Sequence, residues 1–360
     1  MNIGIPKEQR VNEFRVGLSP SGLKLLCKDG HTCFVEHDAG KGAGFRDEEY
    51  ERSGARIVYS PEEVFGRADL LLKLTRPIKA EIEWLQPNST IVGFMHLASA
   101  RQDKLELLLE KGITTIAYEQ IQKADGKLPV LRPLSQIGGA MAAQTAARLL
   151  QNQWGGRGIL LGMIPGVPPA EVVVLGGGVA GTYATRAFLG QGAHVTVLDK
   201  DMEPLQRIMD KFPNVVTMIS TPYNIERATA YADIVIGAVL APGERSPILV
   251  TREMVRAMKP RSAILDLSID QGGCVETSRP TTHANPVYVE EEVTHYCVPN
   301  ISGVVARTAT HAFVNAAMPY ILEIANRGIQ NAIDNIPAIE LAVNTHAGEL
   351  RHLSLISDGK

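Results

Sequence analysis

The sequence predicts an α/β protein of two doubly wound domains, and three observations carry that expectation. Short apolar, largely β-branched runs alternate with helical patterns along most of the chain, the order that builds parallel sheets from βα units. One run, Val172 to Leu175, opens into Gly176-Gly177-Gly178-Val179-Ala180-Gly181, and the next, Val195 to Leu198, ends in Asp199, eighteen positions after the last glycine. A helical stretch, Thr308 to Ile324, follows the final strand of this second series and is long enough to pass back to the first domain. The expected division is a discontinuous domain of residues 1–134 plus 308–360 and a continuous one of 135–307.

In chain order, residues 1 to 5 read as a strand. Ser19 before Pro20 is a capped helix start and Gly30 marks the end of that helix; Thr32 to Glu36 is the next strand. Ala68 to Leu74, Thr90 to Met95 and Thr114 to Tyr118 read as buried strands, with helices near 61 to 66, 79 to 84 and 101 to 111 between them. Lys123 to Pro129 is a turn-rich junction, and Pro133-Leu134-Ser135 starts a helix running to Leu150. The glycine- and proline-rich segment Trp154 to Pro169 reads as an ordered excursion whose apolar middle, Ile159 to Ile164, suits a subunit contact. After Asp199, strands near Val215 to Ile219, Asp233 to Leu240, Ala263 to Ile269 and His295 to Val298 complete a six-strand doubly wound sheet.

The glycine-rich turn has a mechanical reading in this context. Gly176 makes the tight turn, Gly178 lets the backbone approach a pyrophosphate, and Gly181 lets helix pack on strand. The pyrophosphate would rest on the amides of the helix N-terminus, beside Val179 and Ala180. Asp199 would accept from the ribose hydroxyls and repel a 2′-phosphate, so the cofactor expected of this Rossmann domain is NAD rather than NADP.

Composition excludes several other classes. The 360 residues carry 36 Lys+Arg against 39 Asp+Glu, a net charge of −3 with interspersed signs, so there is no basic face for nucleic acid. At 45% hydrophobic the chain has ample core, yet no run approaches the eighteen apolar residues a membrane span needs. Cys27, Cys33, Cys274 and Cys297 form no C-x-x-C and match no zinc spacing, so they read as reduced thiols and no metal is expected. Met1 to Glu8 has neither a basic leader nor an apolar core segment, which together with the thiols points to the cytoplasm.

Chemistry on this scaffold is expected just past the carboxyl ends of strands. Thr75 and Arg76 follow one strand, His96 the next, and Asp270 ends Ala263 to Ile269 before Gln271-Gly272-Gly273. A hydride-transfer site needs an acid or base near the substrate carbon, and His96 and Asp270 are the candidates at these strand ends. Arg15, just before the first helix, suits a substrate carboxylate, although by position alone a surface salt bridge is its default.

With these residues in view, the chain resembles the alanine dehydrogenase and transhydrogenase family over nearly its whole length. The matching stretches are Gly4 to Glu8, Asn12 to Val16, His96-Leu97-Ala98, Ile116 to Glu119, Gly156-Arg157-Gly158 with Pro165-Gly166-Val167, and Asp270 to Gly273. The resemblance implies NAD-linked, reversible oxidative deamination of a small L-amino acid to a 2-oxo acid and ammonia, by two-domain subunits assembled as hexamers. It implies that Arg15 binds the substrate carboxylate, His96 is the general acid/base, and Asp270 manages the water and protons of the carbinolamine. It also implies that Asn300 orients the nicotinamide side of the site, and that Ser135, Ser220, Val239 and Leu240, the last two leading into Ala241-Pro242-Gly243, contact or cover the cofactor.

The departures fall where substrate should sit. Family members usually read Lys-Val-Lys-Glu-Pro where this chain reads Lys73-Leu74-Thr75-Arg76-Pro77, so Thr75 stands in place of an expected substrate-binding lysine. Threonine supplies no positive charge; Arg76 is the residue that could restore one, while Lys73 is expected to support the fold. Residues Pro299 to Arg307 also depart from the usual pattern. The expected enzyme is a dehydrogenase of alanine dehydrogenase type, and these changes leave open a substrate other than alanine or an imine reductase activity. The other readings are an NAD-binding regulatory or assembly protein without catalysis, and a transhydrogenase-like subunit.

Overall fold

Apolar runs become buried strands, and Ser/Thr-Pro pairs start the helices beside them. The structure, a computed structural model, describes residues 1–240 and 245–353. The Ser19 hydroxyl accepts from the Gly22 N–H at 3.3 Å, Ser60 from Glu63 at 3.2 Å and Thr221 from Asn224 at 3.2 Å. In each case the next residue is a proline whose missing N–H costs the first helical turn nothing. The chain divides into two α/β units, Met1–Leu134 with Gly303–Lys360, and Ser135–Ser302. The second crossing falls before the expected 308, within the short helical turn Ile301–Val305 that runs into the helix Ala306–Arg327.

Unit 1 holds an eight-stranded sheet. Its first segment supplies β1 (Asn2–Ile5), β2 (Thr32–Glu36), β3 (Arg56–Val58), β4 (Leu70–Thr75), β5 (Thr90–Phe94) and β6 (Thr114–Ala117). Its second segment, following the seven strands of unit 2, supplies β14 (Val343–His346) and β15 (Glu349–Leu350). The order is β15-β14-β6-β5-β4-β1-β2-β3. Strands β1 to β6 pair in parallel as the βα alternation predicts. The expectation of a parallel sheet throughout is corrected at one edge, where β14 runs antiparallel to both β6 and β15. The β14–β15 hairpin turns through Ala347 and Gly348, both at positive φ, the geometry that suits strand twist. Phe313, Ala317, Ile321 and Ile324, at three- and four-residue spacing on the helix Ala306–Arg327, share the core with Val16, Leu72, Leu74 and Val92.

Unit 2 contains β7 (Glu171–Leu175), β8 (His194–Asp199), β9 (Val215–Ile219), β10 (Ile234–Gly237), β11 (Ala263–Asp266), β12 (Val287–Glu290) and β13 (Val293–Tyr296), ordered β12-β13-β11-β10-β7-β8-β9. Among the described residues the expected six strands are therefore seven. The additional β12 is antiparallel to β13 and joined to it by Glu291 and Glu292, both at positive φ without the glycine or asparagine that signals such a turn. Three strands are also shorter or displaced: Asp233–Leu240 contracts to β10, Ala263–Ile269 to β11, and His295–Val298 moves back to β13. Apolar residues past these strands pack in loops instead, so hydrophobicity alone overran the ladder.

In both sheets one strand lies where the connections diverge to opposite sides, β1 between β2 and β4, and β7 between β8 and β10. Loops leaving the carboxyl ends of these strands open at a topological switch point. Among the described residues no helix is long and apolar enough to cross a membrane.

Candidate active-site elements

In unit 2, Gly176 adopts φ +102° and donates its N–H to the Leu198 carbonyl at 2.7 Å, turning the chain sharply off β7. A Cβ on Gly181 would lie 1.8 Å from the Gly176 oxygen, so the helix Val179–Gly190 can sit against the turn only with glycine there. Gly178 behaves oppositely. It is exposed, a Cβ on it would meet nothing within 4 Å, and no side chain caps the helix it begins. The first-turn amides, with Val179 and Ala180, thus face open space that a Cβ would fill, and these residues fit the pyrophosphate of a dinucleotide.

The Asp199 carboxylate, at the end of β8, accepts from Gly177 N–H at 2.6 Å and from Asp201 N–H at 3.0 Å. It is thereby fixed beside the glycine turn. Ser220 follows β9 and donates its N–H to the Asp199 carbonyl at 2.9 Å. Ser135 lies half-buried in the first turn of the helix Arg132–Leu149. Val239 follows β10 and donates its N–H to the Ser268 hydroxyl at 2.9 Å, and Leu240 is exposed beside it. The expected covering loop Ala241-Pro242-Gly243 lies outside the described residues.

Asp270 does not end a strand as expected; β11 stops at Asp266, and Asp270 is an exposed residue of the short helical turn Ile269–Gln271. The reason is Asp266. Its buried carboxylate accepts from the N–H groups of Ser268 (3.0 Å), Cys274 (2.9 Å) and Val275 (3.3 Å), curling the chain off the ladder. Burial pushes the Asp266 carboxyl above the usual range, while donors from Ser278, Cys274, Ser268 and Val275 pull it back. Asn300, in the left-handed region at φ +54°, directs its N–H to Asp270 Oδ2 at 3.5 Å, so the structure brings these two expected residues together.

In unit 1 the candidates gather at the ends of β1, β4, β5 and β6. The register between β4 and β5 shifts between Leu72 and Thr75, which re-aims the side chains at the strand end. Thr75 is buried, and its hydroxyl donates to Glu8 Oε2, while Glu8 Oε1 accepts from Leu74 N–H at 2.6 Å. Lys73 is fully buried, with Nζ 3.0 Å from Glu8 Oε2 and 2.7 Å from Glu81 Oε1. Burial presses the ammonium toward neutrality, but Glu8 and Glu81 outweigh it and hold its pKa above the ordinary lysine value. Lys73 supports the fold, and the hydroxyl of Thr75 faces a carboxylate.

Arg76 leaves in another direction: its Nη1 donates to the His96 carbonyl at 2.8 Å, and Arg10 Nε donates to the Arg76 carbonyl at 3.2 Å. His96 itself adopts φ +42°, ψ +43°, an uncommon conformation for a non-glycine residue. It is held there by Glu119 after β6, which accepts from His96 N–H at 2.6 Å and Met95 N–H at 3.1 Å and stands 3.7 Å from His96 Nδ1. The imidazole remains 36% exposed, open to a ligand. Arg76 thus brings a guanidinium to the loop after β5.

Arg15 is not on the surface, as its default reading had it. It is 2% exposed, with Nε 2.6 Å from Glu13 Oε1 and Nη2 2.5 Å from Glu13 Oε2. Its segment is pinned to β4 at Gly17, where a Cβ would come within 2.0 Å of the Leu72 carbonyl oxygen. Glu8, Glu13, Glu119 and Asp266 had no role in the sequence reading. Their signal was present, since Glu119 and Asp266 are acids at strand ends like Asp199, and Glu8 and Glu13 lie in the stretches quoted for the resemblance.

Comparison with known proteins agrees over both units. Residues 4–138 match the model of the alanine dehydrogenase/PNT N-terminal domain and residues 142–353 that of the C-terminal domain. The chain is 45% identical to an alanine dehydrogenase of Methanococcus maripaludis, covering 98% of this chain and 95% of that protein. It is 43% identical to an alanine dehydrogenase of Mycobacterium tuberculosis, covering 97% and 94%. A solved L-alanine dehydrogenase superposes with a TM-score of 0.92 at 43% identity over 98% of this chain and 97% of that one. A transhydrogenase from Sinorhizobium meliloti does so at 0.82 and 26% identity over 98% and 99%.

Proposed function

The chain belongs to the alanine dehydrogenase/PNT family, and on that premise we propose that it is an NAD-dependent alanine dehydrogenase, converting a small L-amino acid reversibly to the 2-oxo acid and ammonia. The observation that carries the cofactor is the turn at Gly176–Gly181, open at Gly178 and closed by Asp199. NAD, when bound, accepts a hydride from the substrate α-carbon in the deaminating direction.

The protein's own groups account for the rest. Arg15, whose guanidinium plane Glu13 fixes, anchors the α-carboxylate of the substrate, the role the family resemblance gives it. His96 holds or releases a proton at the 2-oxygen of the oxo acid or carbinolamine, and its backbone bond to Glu119 fixes where the imidazole stands. Thr75 and Arg76 belong to the substrate side of unit 1, with Arg76 as the nearby positive charge. In unit 2, Asp270, oriented with Asn300, accepts a proton from the water that adds to the imine, and Asn300 fixes the nicotinamide side. Ser135, Val179, Ala180, Ser220, Val239 and Leu240 line the cofactor path. Asp199, next to the ribose position, favours NAD over NADP by charge repulsion.

The homo-oligomer, a hexamer by resemblance, is supported by the exposed apolar side chains of Leu160, Met163, Ile164 and Val167, a patch that a second copy would cover. A cytoplasmic setting agrees with the free thiols of Cys27, Cys33, Cys274 and Cys297. The deciding experiment is a panel of L-amino acids with NAD or NADP, and of 2-oxo acids with ammonia and NADH. L-Alanine and pyruvate turnover with NAD is expected, and no turnover with any pair would overturn the reading; light scattering of the purified protein tests the hexamer.

A further inference from the structure

The loop that follows β11 is closed at its base by one buried side chain. Asp266 Oδ1 accepts from Ser268 N–H at 3.0 Å, and Oδ2 accepts from Cys274 N–H at 2.9 Å and Val275 N–H at 3.3 Å. The chain therefore leaves β11 and curls back around a single carboxyl group. Gly272 and Gly273, at φ +95° and +82°, make the return, and a Cβ on Gly273 would come within 2.8 Å of Asp266 Oδ2. Gly237 of β10 backs the other oxygen, where a Cβ would stand 2.8 Å from Oδ1. Asp270 sits midway along the curl and is exposed.

The same curl is fastened to the segment after β10. Val239 N–H donates to Ser268 Oγ at 2.9 Å, Ser246 N–H donates to the Gln271 carbonyl at 2.9 Å, and Ser246 Oγ donates to the Val239 carbonyl at 3.5 Å. Ser246 and Ser268 are both buried. Ser268 and Gln271, one on each side of Asp270, thus hold Val239 and Ser246. Burial of the Asp266 carboxylate has a cost, visible in its raised pKa, and the donors of the curl offset it. In return, a charged acceptor forms shorter and stronger bonds to backbone N–H groups than a neutral one. Such precision matters at a reacting group, where a misplacement of about 1 Å can lower the rate about a hundredfold.

Resting on the role of Asp270 in the amino-acid dehydrogenase reading above, we propose that Asp266 is a positioning residue for Asp270, and that Ser268 carries the same hold across to Val239. Asp266 is buried and acts through the backbone of the curl, so its effect on the reaction passes through Asp270. Asparagine at this position keeps the shape of the side chain but turns one acceptor oxygen into an NH2 group. At least one of the three backbone bonds is then lost, and the curl no longer sets Asp270 in one place.

The test is a double-mutant cycle on the amination of pyruvate with NADH and ammonia, using the wild type, Asp266→Asn, Asp270→Asn and the double variant, with folding checked by circular dichroism. Asp270→Asn should lower kcat about a hundredfold or more, as for loss of a general acid or base. Asp266→Asn should lower kcat about tenfold to a hundredfold, with the KM for pyruvate changed less than about threefold, and the double variant should be no slower than Asp270→Asn. A side chain that only stabilises the fold lowers kcat by the same factor in both backgrounds. That additive result, or wild-type kcat in folded Asp266→Asn, overturns the proposal and leaves the dehydrogenase reading intact. If Asp266→Asn does not fold, Ser268→Ala takes its place in the cycle: loss of kcat that vanishes in the Asp270→Asn background supports the proposal, and an additive loss or no loss overturns it. A wild-type rate in Asp270→Asn overturns the proposal together with the role of Asp270. If the wild type turns over no 2-oxo acid, the dehydrogenase reading falls and the proposal falls with it.

Discussion

Glu13 grips Arg15 as a substrate would: two oxygens on two nitrogens, at 2.6 and 2.5 Å, with both side chains almost fully shielded from water. This contact fixes the plane of the guanidinium. Removing Glu13 takes a carboxylate away from a buried guanidinium, and Glu13→Ala should destabilise unit 1 by about 3–5 kcal/mol, measured by urea unfolding. Glu13→Gln keeps the shape and should cost less stability while raising the KM for pyruvate. Equal KM values for Glu13→Gln and wild type would separate Glu13 from the orientation of Arg15.

Thr75 hands its hydroxyl to Glu8, which also receives Lys73. A lysine at position 75 would find that carboxylate waiting and would place a second ammonium at the end of β4. Thr75→Lys should raise kcat/KM for pyruvate about tenfold or more, since a cation near a developing oxyanion is worth on the order of 3 kcal/mol. Steady-state rates with NADH and ammonia measure it, and a fall in rate would show that the hydroxyl is the better group here.

Two glycines of one turn should respond differently to the same substitution. Gly181→Ala drives a methyl group into the Gly176 carbonyl and should unfold or strongly destabilise unit 2. Gly178→Ala meets no protein atom, and its backbone at φ −66° accepts an L side chain, so that variant should fold normally. Its methyl group occupies the space the pyrophosphate needs, and NADH binding followed by fluorescence should weaken at least about tenfold. Undiminished NADH binding by folded Gly178→Ala would remove the pyrophosphate from this turn.

Asp199 has one oxygen on Gly177 N–H, so its exchange for asparagine preserves an acceptor while removing the charge. Asp199→Asn should bring the KM values for NADPH and NADH closer together by about tenfold, through loss of repulsion toward a 2′-phosphate. An unchanged ratio would mean that the preference is set elsewhere.

What the sequence made legible is what neighbouring residues decide. Gly176 to Gly181 with Asp199 lies within one βαβ unit, and the Ser19-Pro20 start needs only the next three residues, so both are written locally. Strand ends were misjudged where a distant or buried polar group ends the ladder, as Asp266 does four residues before Asp270. The Glu291-Glu292 hairpin was invisible because neither residue is a usual turn former. At the candidate site, Arg15, His96 and Thr75 were found singly, but their partners Glu13, Glu119 and Glu8 were not. The Glu8–Thr75 contact joins residues 67 positions apart, a distance no spacing rule reaches.

The antiparallel edge of unit 1 has a consequence for synthesis of the chain. β6 and β14 are joined by side-chain bonds such as Thr115 to Thr345, 230 residues apart, with the whole of unit 2 emerging in between. Unit 2 is continuous and can complete its sheet as soon as its last strand leaves the ribosome, whereas unit 1 must wait with β6 bare. A bare central-type strand is a template for pairing with another chain. The helix Ala306–Arg327 and strand β14 therefore act as a late closing piece, and the nascent protein is at its most aggregation-prone while residues 135–302 are being made.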